Sequence, residues 1–117
     1  MERKQFGQPI ANFQMIQSML AESQTELFAA RAMVEKASRE KDAGKKTTKE
    51  AACCKYYATE AAGRIADRML QVHGGNGYIK EYAIERLYRD ARLLRIYEGS
   101  SQIMQLIIAR ELLREHA

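Results

Sequence analysis

The stretch Thr47-Thr48-Lys49-Glu50-Ala51-Ala52-Cys53-Cys54-Lys55-Tyr56-Tyr57-Ala58-Thr59-Glu60-Ala61-Ala62-Gly63-Arg64-Ile65-Ala66-Asp67-Arg68-Met69-Leu70-Gln71-Val72-His73 runs straight into Gly74-Gly75-Asn76-Gly77, and it decides the fold. A hydroxyl residue followed three positions later by Glu50 has the pattern of a capping box, in which each side chain serves the other's backbone amide. Ala51, Cys54, Ala58, Ala61, Ile65, Met69 and Val72 then recur at helical spacing along one face. Many of them are alanines, so a neighbouring helix can come close. The glycine run stops the helix abruptly.

Upstream, residues 1–9 read as irregular and end at Pro9. A long amphipathic helix is expected to begin near Asn12, a good N-cap residue. Its apolar positions are Phe13, Ile16, Leu20, Leu27, Ala30 and Val34, with Ser23 interrupting the stripe. It ends at Gly44, which suits a left-handed C-cap. Downstream, a shorter helix spans about Ala83 to Leu94. A turn follows at Tyr97-Glu98-Gly99, and a last helix, capped by Ser100 or Ser101, carries Ile103, Leu106, Ile107 and Leu113. Strand-type alternation is absent. The expected architecture is a single all-α domain over 1–117, an antiparallel helical bundle. Two long helices and one half as long do not close a bundle. A first helix is therefore expected to be truncated at the N-terminal side, leaving an apolar groove that self-association can cover.

The 117 residues, 46% of them hydrophobic, suffice for one core, and a single proline leaves long helices uninterrupted. Net charge is +4, from 19 basic and 15 acidic residues. Arg86, Arg89, Arg92 and Arg95 recur every third residue, either as a phosphate-contacting ridge or as a face salt-bridged by Glu81, Glu85 and Asp90. The basic density with interleaved aromatics of a nucleic-acid binder is missing, so no nucleic-acid partner is expected. No apolar run approaches membrane-spanning length, and the first residues lack a signal-type apolar stretch; a cytoplasmic location is expected. The adjacent Cys53 and Cys54 read as reduced thiols. His73 and His116 have no companions at metal-ligand spacing, so no metal site is expected.

Two runs carry chemistry. In Arg95-Ile96-Tyr97-Glu98-Gly99-Ser100-Ser101-Gln102-Ile103 a carboxylate sits at a turn before a helix start. It is either a charge complementing the helix dipole or a positioned base walled by Ile96, Tyr97 and Ile103. The Gly74-Gly75-Asn76-Gly77 run follows a helix, so it is no Rossmann fingerprint, which needs a strand there. It remains either a helix-ending loop or a place where backbone touches a ligand.

Taken in order, the motifs resemble the C-terminal domain of the acyl-CoA dehydrogenase family, across essentially the whole chain. Arg3-Lys4-Gln5-Phe6-Gly7 with Gln14 is similar to its opening motif. Gln71-Val72-His73-Gly74-Gly75-Asn76-Gly77-Tyr78 is similar to its Q-x-x-G-G-x-G-Y loop, and Arg86-Leu87-Tyr88-Arg89-Asp90-Ala91 to its R-x-x-R-D-A segment. Tyr97-Glu98-Gly99-Ser100-Ser101-Gln102 resembles its Y-E-G-T-S-x turn, and Ile108-Ala109-Arg110 the helix after it. Ser100 stands where threonine is usual, and Met104-Gln105 where many members have Gln-Arg.

The resemblance implies FAD-dependent oxidation of acyl-CoA thioesters to 2-enoyl-CoA, of the short- and medium-chain type. Glu98 would be the base that removes the α proton, with its own backbone amide helping to hold the thioester oxygen. Arg3, Gln14, Gln71, Val72, His73, Gly74, Gly75, Ser100, Ser101 and Gln102 are implied as FAD contacts, the loop 71–75 meeting FAD held by a neighbouring subunit. Gly99 is implied on the substrate side. A homo-oligomer (dimer or tetramer) and an electron-transfer flavoprotein as acceptor follow from the same likeness. So does the expectation that this piece, without the family's N-terminal helical and middle β domains, is inactive alone. The alternatives are an acyl-CoA oxidase domain and a non-catalytic helical interaction module.

Overall fold

A computed structural model describes residues 3–117. The first two positions of the segment expected to be irregular lie outside the described residues. The rest of it forms a minimal hairpin, β1 (Lys4–Gln5) paired antiparallel with β2 (Gln8–Pro9), turning through Phe6 and Gly7, both at positive φ. A 3-10 turn over Ile10–Asn12 then leads into α1 (Gln14–Asp42). The expected Asn12 cap is not used. The 3-10 turn takes up Asn12, and Phe13 is the extended N-cap residue, with no side-chain hydrogen bond.

α2 (Thr48–His73) starts and ends where the sequence places it, and Gly44 (φ 77°) and Gly74 (φ 59°) close α1 and α2. The capping box does not form. Thr47, at φ −124° and ψ 26°, lacks the extended backbone that aims a hydroxyl at the helix amides, and its side chain makes no capping bond. The start of α2 is tied instead to the end of α4 (Ser101–Glu115): Lys46 pairs with Glu111 at 2.5 Å, and Lys49 pairs with Glu115. α3 (Ala83–Leu93) precedes α4. Beyond α2, a 3-10 turn over Gly74–Tyr78 buries Gly77, where a Cβ would lie 2.6 Å from the Leu70 carbonyl oxygen.

α2 is the hub. α1 packs along one side of it, and α1 and α4 do not pack closely on each other. α3 and α4 together retrace α2: their 11 and 15 residues match its 26, α3 beside the C-terminal half and α4 beside the N-terminal half. The break between them lies opposite the middle of α2, where Lys55 and Glu60 face it. Among the described residues the buried apolar core is small and includes Ala52, Ala61 and Ala66 of α2, Ile84 and Met104. Close approach of the α2 backbone to its neighbours replaces bulk.

Two apolar stripes differ from expectation. Ser23 does not interrupt the packed face of α1; it is that face's most buried residue, its hydroxyl donating to the Met19 carbonyl at 2.7 Å. Ile16, Met19, Ser23, Glu26, Ala30, Met33 and Ala37 are the positions turned inward. Glu26 meets Arg64 and Arg68 of α2 at 2.6 and 2.7 Å, while Leu20, Leu27 and Val34 are 39–45% exposed on the flank. On α4 the inward residues are Ser101, Met104, Ile107, Ile108 and Glu111, whereas Ile103, Leu106 and Leu113 stand out at 46, 67 and 71% exposure. α4 is apolar nearly all round, so spacing did not select its inner face; contact with α2 did.

Candidate functional site

The break between α3 and α4 is built by conformation and by two charged residues of α2. Glu98 has φ 52°, and Gly99 follows at φ 93°. The left-handed region is uncommon for a side-chain-bearing residue and costs energy unless its surroundings enforce it. At Gly99 the left-handed φ itself favours glycine, and a Cβ there would also displace the Met104 methyl, which would lie 2.6 Å away. The Lys55 ammonium donates to the carbonyls of Tyr97 (2.6 Å), Glu98 (3.2 Å) and Gly99, and lies 5.9 Å from the Tyr97 ring centroid. Five residues further along α2, Glu60 accepts from Arg95 Nη1 at 2.8 Å and from the Ser101 hydroxyl at 2.7 Å. The Arg95 guanidinium, then the Ser101 hydroxyl, hold the Glu60 carboxyl below the usual carboxylate range. Arg95 Nε is buried and, among the described residues, unpaired.

Ser100 is the N-cap of α4, its hydroxyl accepting from the Ile103 amide at 3.3 Å. Ser101 is buried, and its amide donates to the Arg95 carbonyl at 3.1 Å. The helix start therefore keeps few free amides. Among the described residues the amides of Glu98 and Gln102 have no hydrogen-bond acceptor. The Glu98 side chain is exposed, and Ile96, Tyr97 and Ile103 around it are 46–56% exposed, so these residues form an open apolar rim rather than a closed pocket.

The second cluster sits at the C-terminal end of α2. Arg3, Gln14, Gln71, Val72 and Gly74 line one groove of about 630 Å³, with Phe13 and Met15 among its apolar walls. Arg3 Nη1 donates to the His73 carbonyl at the negative end of the α2 dipole. A Cβ on Gly74 would lie 2.9 Å from the same guanidinium nitrogen, whereas one on Gly75 would meet nothing within 4 Å. The His73 ring packs edge-on to Tyr82 at 6.3 Å, with Nδ1 2.7 Å from the Met69 carbonyl. The sequence-predicted residues thus form two groups rather than one. Between Glu60 and His73, α2 spans about 13 residues, or ~20 Å at 1.5 Å per residue.

Residues 1–113 match the family described as acyl-CoA dehydrogenase, C-terminal domain. The chain belongs to the acyl-CoA dehydrogenase family. It is 53% identical over 113 residues to a probable acyl-CoA dehydrogenase of Bacillus subtilis, covering 97% of this chain and 30% of that protein. It is 49% identical over 114 residues to the caffeyl-CoA reductase–Etf complex subunit of Acetobacterium woodii, again 97% of this chain and 30% of the relative. Its backbone follows butyryl-CoA dehydrogenase from Megasphaera elsdenii with a TM-score of 0.93 at 38% identity, over 96% of this chain and 29% of that one. The chain spans about 30% of the length of the curated relatives it matches.

Lys55 and Glu60 are the site residues that sequence reading missed. Their signal was a cation and an anion standing in an alanine-rich helix. The arginine ridge is partly absorbed by ion pairs, Arg89 with Glu85 at 3.0 Å and Arg95 with Glu60. Cys53 and Cys54 are free, and burial pushes the Cys54 thiol up, away from the reactive thiolate. Among the described residues there is no cluster of three metal-ligating side chains, and no helix is long and apolar enough to cross a membrane.

Proposed function

We propose that this chain is the C-terminal domain of a flavoenzyme that converts acyl-CoA thioesters to 2-enoyl-CoA, with Glu98 as the base. The observation that carries the reading is the left-handed Glu98. A glutamate kept in a costly backbone conformation, and braced by α2, suits a carboxylate whose position matters. Glu98 would take the α proton, while the electron pair left on the α carbon is drawn toward the thioester oxygen. The unpaired Glu98 amide suits that oxygen as a hydrogen-bond donor.

FAD, when bound, would accept the hydride leaving the β carbon. Donor chemistry supports its binding. A guanidinium and two side-chain amides, from Arg3, Gln14 and Gln71, converge on a groove beside a glycine turn, and such donors suit a diphosphate. Val72, His73, Gly74 and Gly75 would border it, and Ser100, Ser101 and Gln102 would meet the cofactor from the other group. A distance of ~20 Å along α2 is compatible with the two groups serving opposite ends of FAD, or FAD bound by two subunits. Gly99 would lie on the substrate side.

The open rim around Glu98 and the exposed stripes of α1 and α4 support a site completed by further protein, from other domains or from copies in a homo-oligomer. Abstraction of an α proton requires exclusion of water that these residues do not provide alone. We therefore propose that the isolated 117-residue chain does not turn over. An Etf-type acceptor is proposed from the name of the A. woodii relative. That same relative is a reductase, which favours a second reading: the reaction run toward the saturated thioester, Glu98 returning the proton. In the full-length, FAD-loaded protein, Glu98→Gln should abolish flavin bleaching by butyryl-CoA and flavin reoxidation by crotonyl-CoA, with thioester binding retained. Turnover at the parent rate refutes the assignment.

A further inference from the structure

We propose that Lys55 is a positioning residue for the proton-transfer step, setting the direction of the Glu98 carboxylate by gripping the backbone on both sides of it; this rests on the reading of Glu98 as the base. Three successive carbonyls, those of Tyr97, Glu98 and Gly99, converge on one Lys55 nitrogen. An ammonium has three donors and no acceptor, so the three oxygens match its capacity. No helix or strand supplies donors to these carbonyls, because the chain between α3 and α4 leaves both. The Ser101 amide bond to the Arg95 carbonyl ties the two ends of the turn, and among the described residues Lys55 is the side chain that holds its apex against relaxation of Glu98 from φ 52° to an ordinary right-handed or extended conformation.

Lys55 sits two turns inside α2, flanked by neighbours that are half-buried, so its anchor is rigid. The second tether, Glu60 with Arg95 and Ser101, holds the two ends of the break and leaves its apex to Lys55. The roles are therefore separable. Glu60 fixes where α4 begins, and Lys55 fixes the conformation of the residue carrying the carboxylate. Relaxation of the Glu98 backbone would displace the carboxylate, and a misplacement of about 1 Å costs on the order of 100-fold in rate.

Two measurements test this. In the 117-residue chain, the three-bond HN–Hα coupling of Glu98 reports its φ. Lys55→Met should shift that coupling while leaving the helical circular dichroism unchanged. In the full-length, FAD-loaded protein with butyryl-CoA, Lys55→Met should lower kcat about 10- to 100-fold with KM within about twofold. Lys55→Arg keeps the charge and can still donate to part of the carbonyl set, so it should recover part of the loss. An unchanged Glu98 coupling with wild-type kcat in Lys55→Met overturns the proposal, and so does a kcat in Lys55→Arg as low as in Lys55→Met. If Glu98→Gln turns over normally, the base assignment itself has failed. If Glu98→Gln is dead and Lys55→Met is wild-type, only the Lys55 role has failed.

Discussion

Replacing Gly74 by alanine should loosen the N-terminal segment from α2, and the same change at Gly75 should not. At Gly74, φ 59° with ψ −139° lies in territory that only glycine adopts freely, so an alanine there costs about 1–3 kcal/mol in backbone strain. Its Cβ would also press on Arg3 Nη1 at 2.9 Å. That nitrogen is the tip of a flexible side chain and can swing away, but it then gives up its bond to the His73 carbonyl, worth about 0.5–1.5 kcal/mol and toward the low end at an exposed site. The sum is about 1.5–4 kcal/mol, a fall of roughly 6–16 °C in Tm at about 4 °C per kcal/mol for a chain of this size. Gly75 has open space and no positive φ, so Gly75→Ala should stay within about 0.5 kcal/mol of the parent. Thermal melts followed by circular dichroism supply the comparison. Hydrogen exchange at the Ile10 amide, which donates to the Arg3 carbonyl at 3.1 Å, reports release of the hairpin. Equal Tm values for the two alanine variants, or an unchanged Ile10 exchange rate in Gly74→Ala, would refute this reasoning.

Ser100→Ala should cost about 0.5–2 kcal/mol by removing a formed N-cap. Thr47→Ala should cost under about 0.5 kcal/mol, because that hydroxyl caps nothing; urea melts of the pair decide it. Glu60 has a folded-state pKa lowered by Arg95 and Ser101, so its contribution is complete above the ordinary value of 4.5 and is lost as pH falls through the lower folded value. Stability of the parent should therefore decline across the acid carboxylate range more steeply than that of Glu60→Gln, and parallel declines in urea titrations would contradict the sign. Glu98→Gln should eliminate flavin bleaching in the loaded full-length protein, and Lys55→Met should depress kcat without raising KM.

Helix identity and length were legible because glycine punctuates them: Gly44, Gly74 and Gly99 each end a segment where left-handed backbone is needed. The faces were less legible. α4 is apolar on nearly every side, so its periodicity carried no preference, and Ser23, Ser101 and Glu111 occupy buried positions because they are small or ion-paired. The capping box failed because Thr47 takes a conformation set by the preceding turn, which the motif does not encode. In the site, the motifs announced the glutamate turn and the glycine loop. The supports from α2 stayed hidden, since Lys55 and Glu60 are 43 and 41 residues from the groups they hold.

Because a single uninterrupted helix carries Lys55, Glu60 and the loop at its end, it works as a ruler and a protractor at once. One residue inserted between Glu60 and Gln71 would lengthen the spacing by only about 1.5 Å but would twist one end against the other by about 100°. Proteins built on this scaffold should therefore accept length variation in the turn between α1 and α2 and reject it within that segment.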